Sequence, residues 1–135
     1  MSMEKVQEIM KDAGWGYIAS CDEGQPRVRP MLFVLRDDGS LWSSTYRQSG
    51  KVKEFEKNPK VEICWLDTQR VQLRIEGIVD LSGGAQEKRA LLEVNPKVRN
   101  HFPDEHDPKF VHVCVRPTRI EYKPAGFGEY TVVEL

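Results

Sequence analysis

Residues 26–46, Pro26-Arg27-Val28-Arg29-Pro30-Met31-Leu32-Phe33-Val34-Leu35-Arg36-Asp37-Asp38-Gly39-Ser40-Leu41-Trp42-Ser43-Ser44-Thr45-Tyr46, decide the fold class. Two runs rich in β-branched and aromatic residues, 27–35 and 41–46, flank Asp37-Asp38-Gly39, and an Asp/Gly cluster between such runs signals a hairpin turn. Working backwards, Asp22-Glu23-Gly24 separates the run 15–21 from 27–35 in the same way. Tight turns join antiparallel strands, whereas parallel strands need a long crossover. The chain is therefore not a strand–helix alternation of the dinucleotide-binding kind.

Further out, the strand-like runs 61–66, 71–81, 110–115 and 120–122 continue the series. In 71–81 the odd positions Val71, Leu73, Ile75, Val79 and Leu81 are apolar, while Gln72, Arg74, Glu76 and Asp80 fall between them. Such a strand has one dry and one polar face. From Met31 onward the run 27–35 is apolar on both faces, so each side needs a cover. A barrel interior fills one side, and a partner subunit or a flat ligand covers the other. Pro30 cannot donate to a ladder, which predicts an edge or bulged strand there.

Helices are fewer. Val6, Ile9, Met10 and Ala13 fall at i, i+3, i+4 and i+7, with Ser2 as a cap and Gly14 as a stop. Stretches 51–57 and 85–94 read as short helices closed by Asn58-Pro59 and Asn95-Pro96, and 95–107 reads as an irregular connection. The predicted fold is mainly β (α+β): six to seven antiparallel strands in a small barrel with a few peripheral helices, in one domain spanning 1–135.

Charge excludes several functions. Twenty basic against 21 acidic residues give a net charge of -1, far from the basic footprint of a nucleic-acid binder. No apolar run is long enough to span a bilayer or act as a leader. Cys21, Cys64 and Cys114 are too far apart for a CxxC pair, which points to a reduced, cytoplasmic protein. His101, His106 and His112 with their neighbouring acids lack the spacing of a metal site, and no order of Ser, His and Asp indicates hydrolysis.

Two constellations carry chemistry. Thr45-Tyr46-Arg47-Gln48-Ser49-Gly50-Lys51 leaves a strand and enters a helix, with Ser49 as N-cap. Free backbone N–H groups, hydroxyls and Lys51 there suit a phosphate, although the Gly-x4-Gly-Lys spacing of a nucleotide triphosphate loop is missing. In Arg27-Val28-Arg29-Pro30-Met31 two arginines share a strand face that turns apolar at Met31 and Phe33. Charge running into an apolar wall suits an amphipathic ligand such as a flavin nucleotide.

Taken in order, Arg29-Pro30-Met31, the Asp-Gly turn, Leu41-Trp42-Ser43-Ser44-Thr45, Ser49-x-Lys51, Asn58-Pro59-Lys60-Val61 and Gln72 four residues before Glu76-Gly77 resemble the pyridoxamine 5′-phosphate oxidase-like superfamily of FMN-binding split β-barrels. The similarity is greatest to its small general-stress-protein branch. The resemblance implies a homodimer with FMN at the subunit interface. It further implies that Val28, Arg29, Pro30 and Met31 line the isoalloxazine and ribityl chain, that Ser44, Thr45, Ser49 and Lys51 hold the phosphate, and that Gln72 contacts the flavin. It implies an oxidoreductase acting on a small-molecule redox substrate or electron donor. Related readings on the same barrel are a flavin-binding or redox-sensing protein without turnover, and a haem or deazaflavin binder. The chain departs from the true oxidase at Gly50, where that enzyme carries Arg, and in the tail 126–135, which lacks its Arg-x-His motif. Those departures point away from vitamin B6 oxidation.

Overall fold

In the computed structural model, which describes residues 2–135, eight antiparallel strands form one sheet in the order β2-β1-β5-β6-β7-β4-β3, with β8 on β7. The strands are β1 (Gly16–Asp22), β2 (Gln25–Met31), β3 (Val34–Leu35), β4 (Leu41–Tyr46), β5 (Lys60–Leu66), β6 (Gln72–Asp80), β7 (Phe110–Lys123) and β8 (Thr131–Val133). Helices α1 (Ser2–Ala13), α2 (Gly50–Lys57) and α3 (Ala85–Val94) and a 3-10 turn (Pro96–Asn100) lie against it. None of these helices is long and apolar enough to cross a membrane.

β2 and β3 stand at opposite ends of the strand order, yet only Leu32 and Phe33 separate them in the chain. Three Cα–Cα steps reach at most about 11 Å, so the two sheet edges are brought side by side and the sheet is rolled up without closing. The Ser43 hydroxyl on β4 donates to the Leu32 carbonyl at 2.6 Å across this seam. The architecture is the expected antiparallel split barrel, with eight strands instead of six or seven.

The differences have local causes. The run 27–35 is two strands, because the chain leaves one sheet edge at Met31 and joins the other at Val34. The runs 110–115 and 120–122 are one strand, because Pro117 pairs with Gly77 where the β6–β7 register shifts. A bulge accommodates a residue that has no N–H to give. A Cβ on Gly77 would stand 2.6 Å from Val115 Cγ1 and 2.8 Å from the Arg116 carbonyl oxygen. The additional strand β8 arises from Thr131-Val132-Val133, a β-branched run too short to register as a strand in the sequence.

The turns follow the expected chemistry. Between β1 and β2, Glu23 (φ 51°) and Gly24 (φ 87°) both take left-handed backbone, as a two-residue turn matching the strand twist requires. Helix α1 ends at Gly14 (φ 81°), and the proposed Ser2 cap lies outside the described side chains. Val6, Ile9 and Met10 of α1 join Ile18, Ile63, Trp65, Leu73, Ile75, Val113 and Val115 in the barrel interior. A second cluster, Leu91, Leu92, Val98, Phe102 and Phe110, seats α3 and the 3-10 turn on the outer face of β7. Full burial of each such side chain contributes roughly 1.5–3 kcal/mol, and this second cluster is what brings 95–102 beside β4.

Candidate functional site

The seam between β2 and β4 opens into a pocket of about 280 Å³. One wall is the end of β2, Pro30 and Met31, with Leu32 and Trp15 at its lip; the floor is Trp42, Ser43, Ser44, Thr45 and Tyr46 of β4. Lys51 lines it beside Thr45, and Asn95, Lys97, His101 and Phe102 complete the lining. β2 is an edge strand, as Pro30 required, so its outer backbone edge is open toward this space.

The Lys51 ammonium Nζ donates to Thr45 Oγ1 at 3.2 Å and to Ser49 Oγ at 3.0 Å. Among the described residues no carboxylate forms an ion pair with it. Burial, and then the nearby Arg29 guanidinium, push its pKa below the usual lysine value. Glu54 offsets this in part from a distance; a cation held by hydroxyls and without a direct ion pair gains from an anionic ligand. Ser49 occupies the N-cap position of α2, but its hydroxyl makes no cap bond; it serves Lys51 instead.

Arg29 is committed elsewhere. Its guanidinium lies 2.7 Å from Glu54 Oε1, donates to Ser20 Oγ at 2.9 Å, and sits over the Phe55 ring at 5.9 Å. Burial would raise the Glu54 pKa, but hydrogen bonds from Ser20 and Arg29 outweigh it and hold the carboxyl below its usual value. Arg27, on the same strand face, reaches only Asp22 at 3.7 Å in an exposed pair.

Of the residues assigned to a ligand from sequence, Pro30, Met31, Ser44, Thr45 and Lys51 line one pocket, and Ser49 joins them through Lys51. Val28 and Gln72 do not line it: Val28 is exposed on the outer face of the sheet, and Gln72 accepts a short hydrogen bond from Tyr130. Arg29 supports the wall from behind. Sequence reasoning missed Trp15, Trp42, Tyr46 and the 95–102 wall. Tyr46 Oη lies 3.1 Å from His101 Nδ1, and the Tyr46 ring leans on Phe102 at 4.7 Å. The only early signal was the aromatic residues on both sides of Ser43-Ser44-Thr45.

Beside the floor, on the same face of the sheet as Ser44 and Trp42, His112 pairs across the ladder with Ser44 and meets the Trp42 ring edge to face at 4.5 Å. His112 is 2% exposed, and neither ring nitrogen has a hydrogen-bond partner. Burial pushes its pKa down to about 4. Its ring packs on Gly83, where a Cβ would stand 2.5 Å from Nδ1. Cys114, on the same strand face, is a buried free thiol whose pKa burial raises.

A rolled antiparallel sheet with a cation-and-hydroxyl pocket at its seam defines the class: a split β-barrel. The sequence profile of pyridoxamine 5′-phosphate oxidase matches residues 2–124, and the chain belongs to that family. It is 26% identical over 136 residues to general stress protein 26 of Bacillus subtilis (strain 168), covering 98% of this chain and 94% of that protein. A NimC/NimA family protein from Clostridium acetobutylicum superposes with a TM-score of 0.83 at 28% identity, over 98% of this chain and 92% of the other. A pyridoxamine 5′-phosphate oxidase-related, FMN-binding protein from Nostoc punctiforme shares the fold, with a TM-score of 0.77 at 18% identity over 98% and 96% of the two chains.

Proposed function

We propose that the protein binds FMN in the seam pocket of a homodimer and acts as a cytoplasmic FMN-dependent oxidoreductase on a small-molecule substrate. The observation that carries this reading is Lys51, held between Thr45 and Ser49 with no acid partner among the described residues. A phosphate completes that arrangement: it supplies the missing negative charge, and the hydroxyls and the start of α2 supply donors. Family membership and an FMN-binding relative of the same fold support it.

The other walls suit the rest of the molecule. Met31, Leu32 and Trp42 offer apolar surface to a planar ring, and the open edge of β2 offers backbone groups to its polar rim. FMN, when bound, supplies a ring that takes up and releases two electrons. The chain's contribution is to anchor the phosphate at Lys51, align the ring along β2 and keep water from its inner face. The Tyr46–His101 pair also lines the pocket, where a hydroxyl and an imidazole can hold a proton near a bound substrate.

Anaerobic mixing of the FMN-loaded protein with NADH or NADPH tests the oxidoreductase reading. Bleaching of the oxidised flavin spectrum is expected. A spectrum that stays oxidised with both donors overturns electron transfer from a nicotinamide and leaves a flavin-binding module.

A further inference from the structure

We propose that His112 is an acid-sensitive pin: neutral, it seats the loop before α3 on the sheet, and protonated, it lets α3 and the 95–102 wall lift, so that acid empties the seam pocket. The inference rests on reading the seam as a ligand site and adds a means of releasing the ligand. The His112 ring joins two parts of the molecule. It pairs with Ser44 and touches Trp42, two residues that line the seam pocket. Gly83 also lies against the ring, so close that a Cβ there would come within 2.5 Å of Nδ1. Gly84 then starts α3, its N–H held by Glu87 Oε1 at 2.7 Å. Leu91 of that helix lines the seam pocket, and Asn95, Lys97, His101 and Phe102 follow it in the chain. One imidazole thus connects the floor of the pocket to the root of its wall.

This setting does not accommodate a charge. His112 is buried, and neither ring nitrogen has a hydrogen-bond partner. An imidazole bears one N–H when neutral and two when protonated. Acid therefore adds an unmet donor and a full charge at a buried position, which is costly until the group is hydrated or paired. The charged groups around the ring oppose one another. Glu87 of α3 and Asp80 of β6 favour the imidazolium, while Lys88 of α3 and Arg36 of the β3–β4 connection disfavour it. Cys114, on the same face of β7, adds no charge, because burial raises its pKa.

Relief lies next to the ring. A cavity of about 410 Å³, lined by Asp38, Asp80, Ser82, Glu87, Cys114 and Arg116 among others, adjoins both His112 and Gly83. Residues 81–84 belong to no helix or strand, and Gly83-Gly84 sets two permissive residues where this loop meets α3. When the loop draws back, water from the cavity and the carboxylates of Asp80 and Glu87 can reach the ring. The pKa of His112 is about 4 in the closed form against 6.5 ordinarily. Between those limits the opening constant rises about tenfold per pH unit. Linkage makes the effect reciprocal: a ligand that holds the wall in place also keeps the proton off His112.

Hydrogen exchange of the unliganded protein, corrected for the pH dependence of free amides, reads the opening without any flavin. From pH 7 to pH 5 the amides of α3 are expected to lose protection at least tenfold, while staying less protected than those of β5 at every pH. In His112→Leu the loss is expected to disappear. The same is expected of His112→Gln, which keeps a polar side chain and cannot titrate, so the test does not depend on how leucine packs. Protection of α3 that ignores pH, that matches β5 throughout, or that responds equally in both variants overturns the proposal. The second arm follows FMN release from the loaded protein. The FMN phosphate itself titrates at about pH 6, so the variants are the control: between pH 7 and pH 5, release is expected to accelerate at least tenfold more in the parent protein than in either variant. Equal acceleration overturns acid release. Acid opening of α3 in a protein that takes up no FMN would remove the flavin reading alone; FMN binding with α3 indifferent to pH would remove this proposal alone.

Discussion

Arg29 Nη2 lies 2.7 Å from Glu54 Oε1, so the arginine of the Arg-Pro-Met stretch ties edge strand β2 to helix α2, the helix that carries Lys51. The two walls of the seam pocket are thereby fixed to each other. Both side chains are mostly buried, and breaking such a pair by removing one partner leaves an uncompensated charge. Glu54→Ala is expected to destabilise the fold by about 3 kcal/mol, measured by denaturant unfolding. The Glu54 carboxyl sits below its ordinary pKa in the folded state. Its contribution is therefore present above the unfolded carboxylate pKa and lost as pH falls through the folded value. Loss of that acid-limb dependence in the variant checks the sign.

Lys51→Ala is expected to weaken FMN binding by at least tenfold, about 1.4 kcal/mol, with Lys51→Arg recovering part of it. Fluorescence titration of FMN measures both. Unfolding of the unliganded Lys51→Ala protein should change little, since a half-buried cation without an acid is itself destabilising. Affinity equal to that of the parent protein would remove Lys51 from the phosphate site.

His112 gives a second pH dependence of opposite origin. Its pKa is about 4 in the fold, against 6.5 ordinarily, so the folded state disfavours the imidazolium. Between those values the unfolded chain binds more protons, and stability falls as pH is lowered from about 6.5 to about 4, by about 3 kcal/mol in all. His112→Leu should flatten that window relative to the parent protein. An identical pH profile in the two proteins would show that His112 is solvated.

Gly83→Ala would put a Cβ 2.5 Å from His112 Nδ1. Overpacking of this kind costs about 1–3 kcal/mol. The double variant Gly83→Ala/His112→Ala should recover most of that cost, because the smaller residue leaves room, and the double-mutant cycle reads the coupling directly. Strict additivity would mean that the loop at Gly83 moves away without strain.

Much of this molecule was legible in its sequence. Gly14, Asp22-Glu23-Gly24 and Asp37-Asp38-Gly39 placed the turns because each position has a backbone requirement that few residues meet. The alternation in 71–81 gave the inner and outer faces of β6 correctly. The break at Leu32-Phe33 was hidden, because an apolar run does not reveal that its two halves join different edges of one sheet. The site was half visible. Hydroxyls before Lys51 mark an anion site by their chemistry alone, whereas His101 and Phe102 reach the pocket only because Leu91 and Leu92 seat α3 on β7. The Arg29 partner was not visible: a guanidinium next to an apolar wall suits a ligand or a helix carboxylate, and Glu54, its partner here, lies 25 residues away in the chain.

The most direct test of the central claim is a paired titration of the unliganded protein with FMN and with riboflavin, which differ only in the phosphate. Lys51, Thr45 and Ser49 can distinguish them only if they hold that group. FMN is expected to bind at least tenfold more tightly, about 1.4 kcal/mol, with the difference shrinking as salt is added. Equal affinities, or a protein that takes up neither flavin, would contradict a phosphate site at Lys51.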